Sequence, residues 1–297
     1  MTPRGLTGEG AAASPAALPR TGRTAVRARA AIHVERGPDD LPRVTELRSE
    51  VPLVLRLTAV TPARQTVPVT GLPTATVHLV SAAAGPLAGD DLRLDITVGS
   101  GARLVVRSVA ATVALPGREP GPSRLVVSAE VADGGALEFE PEPTVIAAGA
   151  EHWSVIDVRL GVTATLRLRE EILLGRFGEP PGSFHGTLRV DVATPTRTAD
   201  HARPLRSSPL LRQELLLGPD APGMRGPAHL GPARAVGSLL VAGPEWAGPA
   251  VDAGVLDGAA LLPLAGPGYL VSALADDAVS LRRSLTTPPD APSWRRG

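Results

Sequence analysis

The sequence predicts an all-β chain whose strands stack in layers. Short segments alternate apolar and polar residues with the period of two that a half-buried strand requires. Gly and Pro, at 32 and 31 of 297 residues, punctuate those segments. A strand, turn, strand unit recurs about every thirty residues, within the range of repeat architectures. A β-helix, an irregular elongated sandwich and a plain array of hairpins all produce this local pattern, and periodicity alone leaves the three open.

Taken in order, residues 1–22 are small, aperiodic and Gly/Pro-containing, which predicts a flexible lead-in before a single domain over residues 23–286. Val51–Leu57 and Thr74–Val80 alternate imperfectly beside Pro and Gly, as half-buried strands do. Leu92, Leu94, Ile96 and Val98 alternate cleanly with Arg93, Asp95 and Thr97, one face for a core and one for water. The repeat places a small residue, Ala102, Ala136 or Ala164, after a Gly-containing turn at the start of the next strand, where neighbouring layers approach closely. Leu210–Leu217 is a further apolar run, and Gly218–Pro232 reads as a loop. Leu274, Ala278, Leu281 and Leu285 fall at helical spacing with Asp276-Asp277 near the start, which predicts a helix over 274–285, so one or two short helices are expected, mainly C-terminal. The Pro-rich tail, 287–297, is expected to be extended on a surface or disordered.

Composition narrows the function classes. Lys+Arg and Asp+Glu both number 30, so nothing steers the chain towards nucleic acid or an anionic membrane. Every basic residue is Arg, which fits a GC-rich coding sequence better than selection for bidentate recognition. The absence of Cys removes thiolate catalysis and Cys-based zinc sites. Pro15 interrupts the only candidate signal-peptide core, and no apolar run approaches the roughly 20 residues of a membrane span, so a soluble cytoplasmic protein is expected.

Catalytic devices are scarce. The histidines at 33, 78, 152, 185, 201 and 229 have no metal-ligand spacing, there is no Gly-x-Ser-x-Gly elbow, and a chain without Lys has no Walker loop. Gly99-Ser100-Gly101 lies between two strands and lacks the helix N-terminus that holds an anion. Carboxylates remain. Asp90 follows a Gly-rich turn, where Asp commonly satisfies backbone donors. Glu138, Glu140 and Glu142 share one face of an extended chain and repel unless they meet Arg, metal or water. Glu138 and Glu171 across a groove would suit a β-helical carbohydrate-active enzyme, although three Trp, three Phe and one Tyr offer few sugar platforms. A plain β-rich interaction module is the third option.

Within Leu87–Val192 the motifs fall in a fixed order: Gly89-Asp90-Asp91-Leu92, Ala110-Ala111-Thr112, Leu137-Glu138-Phe139-Glu140-Pro141-Glu142-Pro143-Thr144, then Glu170-Glu171 with Gly175-Arg176 and Gly178-Glu179. That order, with Phe184, Gly186 and the later Leu211–Leu215 segment, resembles the urease accessory protein D (UreD/UreH) family. Arg107-Ser108-Val109 stands where the family commonly has Thr-Thr-Gln, and the single residue between Gly175-Arg176 and Gly178-Glu179 is a shorter gap than usual. The resemblance implies an elongated, β-helix-like protein without enzymatic activity or a tightly bound cofactor. It implies a scaffold that binds apo-urease with UreF- and UreG-type partners, and neither nucleic acid nor membrane, while nickel is inserted. The positions that match a transient Ni²⁺ path are Asp90, Thr112 or neighbouring Ser108, and Glu214 within about one residue of register.

Overall fold

A computed structural model of the chain describes residues 25–59, 71–194, 207–226, 229–247, 251–291 and 294–296. The expected lead-in, residues 1–22, lies outside the described residues. The chain opens with β1 (Arg27–Arg36), which turns back antiparallel as β2 (Pro42–Arg48), and with a second antiparallel pair, β3 (Leu53–Thr58) and β4 (Thr74–Ser81). It then winds. β5 (Asp91–Val98) lies parallel to β1, β6 (Arg103–Ser108) parallel to β4, and β7 (Thr112–Ala114) closes the turn. β8 (Ser123–Val131), β9 (Ala136–Phe139) and β10 (Thr144–Ile146) repeat that path, each parallel to its counterpart one coil earlier. β11 (Glu151–Leu160) and β12 (Thr165–Leu174) repeat it again, β12 being long enough to pair with both β9 and β10. β13 (Ser183–Ala193) adds a last parallel strand, and β14 (Ser207–Leu217) reverses against it.

This is a β-solenoid with two broad faces and a short third. Parallel pairing of strands one coil apart excludes a hairpin array, because a hairpin pairs only antiparallel neighbours. The first face is a seven-stranded sheet ordered β14-β13-β11-β8-β5-β1-β2. The second continues from β3-β4-β6-β9-β12 into β15 (Ala235–Ala242), β16 (Gly254–Leu256), β17 (Ala259–Pro263) and β18 (Gly268–Ala275), before α1 (Ala278–Leu285) and β19 (Arg295–Arg296). Both pairs that end the first sheet carry a β-bulge, between His33 and Val34 in β1–β2 and between Val190 and Asp191 in β13–β14.

The core lies between the two broad sheets. Leu92, Leu94, Ile96 and Val98 meet Leu104, Val106, Leu137, Leu166 and Leu168 across it, as their alternation predicts. Ala102 and Ala164 are buried there, but the ladder sets Arg103 opposite Ala136 and Ala136 opposite Thr165. Ala136 therefore sits one residue past its sequence equivalents: Val98, Val131 and Leu160 are in register, as are Arg103, Ala136 and Thr165, so the three turns are equally long and Gly135 holds the place of Ala102 and Ala164.

The C-terminal part differs from the sequence reading in two places. Leu274 belongs to β18, and the helix begins only at Ala278, capped by the Asp277 carboxylate, which accepts the Val279 and Ser280 amides at 2.8 and 2.9 Å. In the Pro-rich tail Trp294 is buried in a second core with Leu239, Leu261, Val271, Leu281 and Leu285. Its indole donates to the Pro288 carbonyl at 2.9 Å.

Candidate functional site

The outer face of the second sheet holds a buried ionic row. Glu138 on β9 takes Arg103 and Arg107 from β6, the latter at 3.3 Å. Glu140 takes Arg107 at 3.0 Å and Arg167 at 2.5 Å, with Arg169 at 3.5 Å. Glu171 on β12 takes Arg169 at 3.4 Å and Arg282 of α1 at 2.5 Å, and Arg282 reaches on to Glu142 at 2.9 Å. The three glutamates that share a face do meet arginine. Burial holds the Arg169 guanidinium below its ordinary value, with Glu140 and Glu171 pulling the other way. Glu138 and Glu171, the pair a glycoside-bond enzyme would use, are 1% and 3% exposed and bound to guanidinium groups. Neither borders an open groove where a sugar could sit between them.

The inner face tells a different story. Leu166, Leu168 and Ile172 point into the solenoid, and Glu170 occupies the same phase of β12, opposite Ser238 of β15. Its side-chain partner among the described residues is the Ser154 hydroxyl, which donates at 2.9 Å. Burial pushes the Glu170 carboxyl above its ordinary range, against the lowering effect of that hydroxyl. Pro141 and Pro143 carry the chain between β9 and β10 here, so the ladder opens at a corner. The corner encloses a cavity of about 50 Å³, lined by Thr112, Ser108, Ser154, Glu142, Arg169, Glu170 and Glu171 among apolar residues. A space of this size exceeds the roughly 15 Å³ that one ordered water requires. A second cavity of about 40 Å³ shares Ser108, Thr112, Leu53, Leu79 and Leu125 with the first and runs towards Gly85-Pro86.

The predicted positions separate in space. Thr112 lines both cavities. Asp90 is 1% exposed and accepts the amides of Val26 at 2.8 Å and Leu87 at 2.9 Å, closing the turn that starts β5. Glu214 is exposed on the outer face of β14, while its neighbour Gln213 points inward with a buried Oε1 that has no hydrogen-bond partner among the described residues. Gly175–Glu179 forms a stiff turn. Glu179 grips Arg176 at 2.7 and 2.8 Å and is held near 2, while Arg234 donates to the carbonyls of Leu174, Arg176 and Glu179. Gly175, at φ 80°, is required there, since a Cβ would stand 2.6 Å from the Glu179 carbonyl.

Glu170, Ser154 and Gln213 were missed as site residues, yet the sequence carries a signal for each. All three are polar residues at the apolar phase of a strand: Glu170 between Leu168 and Ile172, Gln213 between Leu211 and Leu215, Ser154 before Ile156. Among the described residues no three His, Asp or Glu side chains are placed to hold a metal ion together.

Fold and interior together define a stacked-β scaffold with polar side chains set along its inside. The family model described as UreD urease accessory protein matches residues 26–288. The chain is 67% identical to the urease accessory protein UreD of Frankia alni over 94% of its own length and 97% of that protein. It is 59% identical to the Frankia casuarinae protein of that name, over 96% of this chain and 97% of the relative, and 41% identical to that of Streptomyces avermitilis, over 84% and 90%. The chain belongs to the UreD family of urease accessory proteins.

Proposed function

We propose that this protein is the scaffold on which apo-urease is held, with UreF- and UreG-type partners, while nickel is delivered, and that the ion passes through the interior of the solenoid. The observation that carries this reading is Glu170, a carboxyl kept inside the molecule with a hydroxyl for company, on a cavity that Thr112 and Ser108 also line. Retaining such a group costs stability, which argues for a use. Carboxylate, hydroxyl and water oxygens hold Ni²⁺ weakly compared with imidazole or thiolate, so they suit cargo in transit. Thr112 and Glu170 would be successive way-stations, with inward Gln213 in the place that Glu214 holds by sequence position alone. Asp90 would act indirectly, by fixing the turn beside the second cavity.

Urease structural genes co-expressed with the accessory partners test this. Without the chain, purified urease should lack nickel and activity; full loading would sink the proposal. With Glu170→Gln, the complex should still co-purify while nickel loading falls on the order of tenfold, the usual scale for removing a metal-directing group. Unchanged loading in that variant would remove the interior path and leave the scaffold role standing.

A further inference from the structure

The outer face of the first sheet carries a feature that nickel traffic does not use. A groove of about 510 Å³ lies across β1, β5 and β8, lined by Arg27, Arg29, Arg48, Arg93 and Arg124 with Glu50 and Asp91. The ladder explains the clustering: Arg27, Asp91 and Arg124 stand side by side, and Arg29, Arg93 and Val126 form the next outward row. Five guanidinium groups thus share a small area with two carboxylates. Asp95, beyond the rim, takes Arg93 at 2.7 Å and Arg29 at 3.7 Å, and Arg48 leans to Glu46 at 3.5 Å. Arg27 and Arg124 make no ion pair among the described residues. The row of Arg124 continues into Trp153, 41% exposed, then His185 and Leu216, 55% exposed, with the Trp153 and His185 rings in edge contact at 5.8 Å.

We propose that this groove docks an acidic segment of a partner polypeptide, with carboxylates on Arg27, Arg93 and Arg124 and an apolar side chain on Trp153. Charge complementarity selects the occupant. Residues 1–24 of the chain carry three arginines and one glutamate, the wrong sign for the groove. A second copy meeting face to face would set like charges together. A nucleic-acid backbone would set its closely spaced phosphates against Asp91, Glu50 and Asp95 between the arginines. Arg and Trp are the residues that most often anchor protein interfaces, and a groove on a rigid sheet loses little entropy on binding.

Fluorescence anisotropy on the full chain, with a short fluorescein-labelled peptide of glutamates and leucines as probe, tests this independently of urease activation. Saturable binding is expected, weakened about tenfold or more by raised salt and by the double change Arg27→Glu with Arg124→Glu. Arg159→Glu, on the same face outside the groove, should leave it unchanged. Trp153→Ala should weaken binding while its salt dependence persists. Should the double variant lose its circular dichroism, Arg124→Gln alone is expected to act in the same direction with smaller effect. Absence of saturable binding, equal loss in Arg159→Glu, tighter binding of an oligothymidylate, or a concentration-dependent dimer abolished by the double change would each overturn the assignment.

Discussion

Glu140 is the residue on which the ionic row depends most, because Arg107, Arg167 and Arg169 all turn towards it. Removing one member of a buried pair leaves its partner charged and unsolvated, which typically costs about 3–5 kcal/mol. Glu140→Ala should therefore lower the unfolding free energy by an amount of that order, seen as a lower denaturation midpoint with an unchanged m-value, and a loss below about 1 kcal/mol would show that solvent reaches the row. His152 gives a pH-dependent counterpart. Its ring is 1% exposed, with Nδ1 2.9 Å from the Ser123 hydroxyl, and burial lowers it from 6.5 to about 4. The unfolded chain accepts a proton below the ordinary value that the folded chain refuses until about pH 4. This contribution is thus complete above pH 6.5 and lost as pH falls towards 4, by roughly 3 kcal/mol in all. The stability of wild type relative to His152→Leu should fall as pH drops through that window. Parallel pH curves for the two proteins would mean that the ring is protonated while folded.

At the scale of elements, α1 is fastened twice, by the Asp277 cap at its start and by Arg282, which clasps Glu171 and Glu142. Asp277→Ala should lower the melting temperature modestly, as cap removals do. Arg282→Ala should cost more, since it strips the enclosed Glu171 of its closest cation. Thermal melts of the two variants give the order, and the reverse order would place the helix's anchorage in its cap. The start of this helix was not legible. Leu274 has helical spacing to Ala278, but β18 is buried on both faces, and a continuous apolar run carries no period to separate strand from helix. β15, buried at every position, hides for the same reason. β5, with one wet face, was readable residue by residue.

Across the whole molecule, the stacking was legible from the repeat and from the order of motifs, while the destination of the charges was not. Leu166-Arg167-Leu168-Arg169 alternates as a strand with a solvated side would, yet the structure buries both arginines against the carboxylates of Glu140 and Glu171. Alternation reports which residues share a face, and says nothing about what later covers it. The interior residues were recoverable in principle, because Glu170 and Gln213 interrupt an apolar phase, but an interruption stands out only once the strand's phase is known. The resemblance supplied Thr112, which lines both cavities, and Glu214, whose side chain lies one residue away from the inward register.

The reversed, bulged strands at either end of the first sheet bear on how copies of the protein behave in a crowd. A parallel coil with a bare edge is a template, and another copy could extend it coil after coil into a fibre. β2 and β14 run against the stack, each is kinked against its neighbour, and their edges carry Pro42, Arg43, Glu46, Pro209 and Arg212. An incoming coil finds a ladder of the wrong direction and pitch. The solenoid is thereby a finite object, able to be abundant and concentrated without growing.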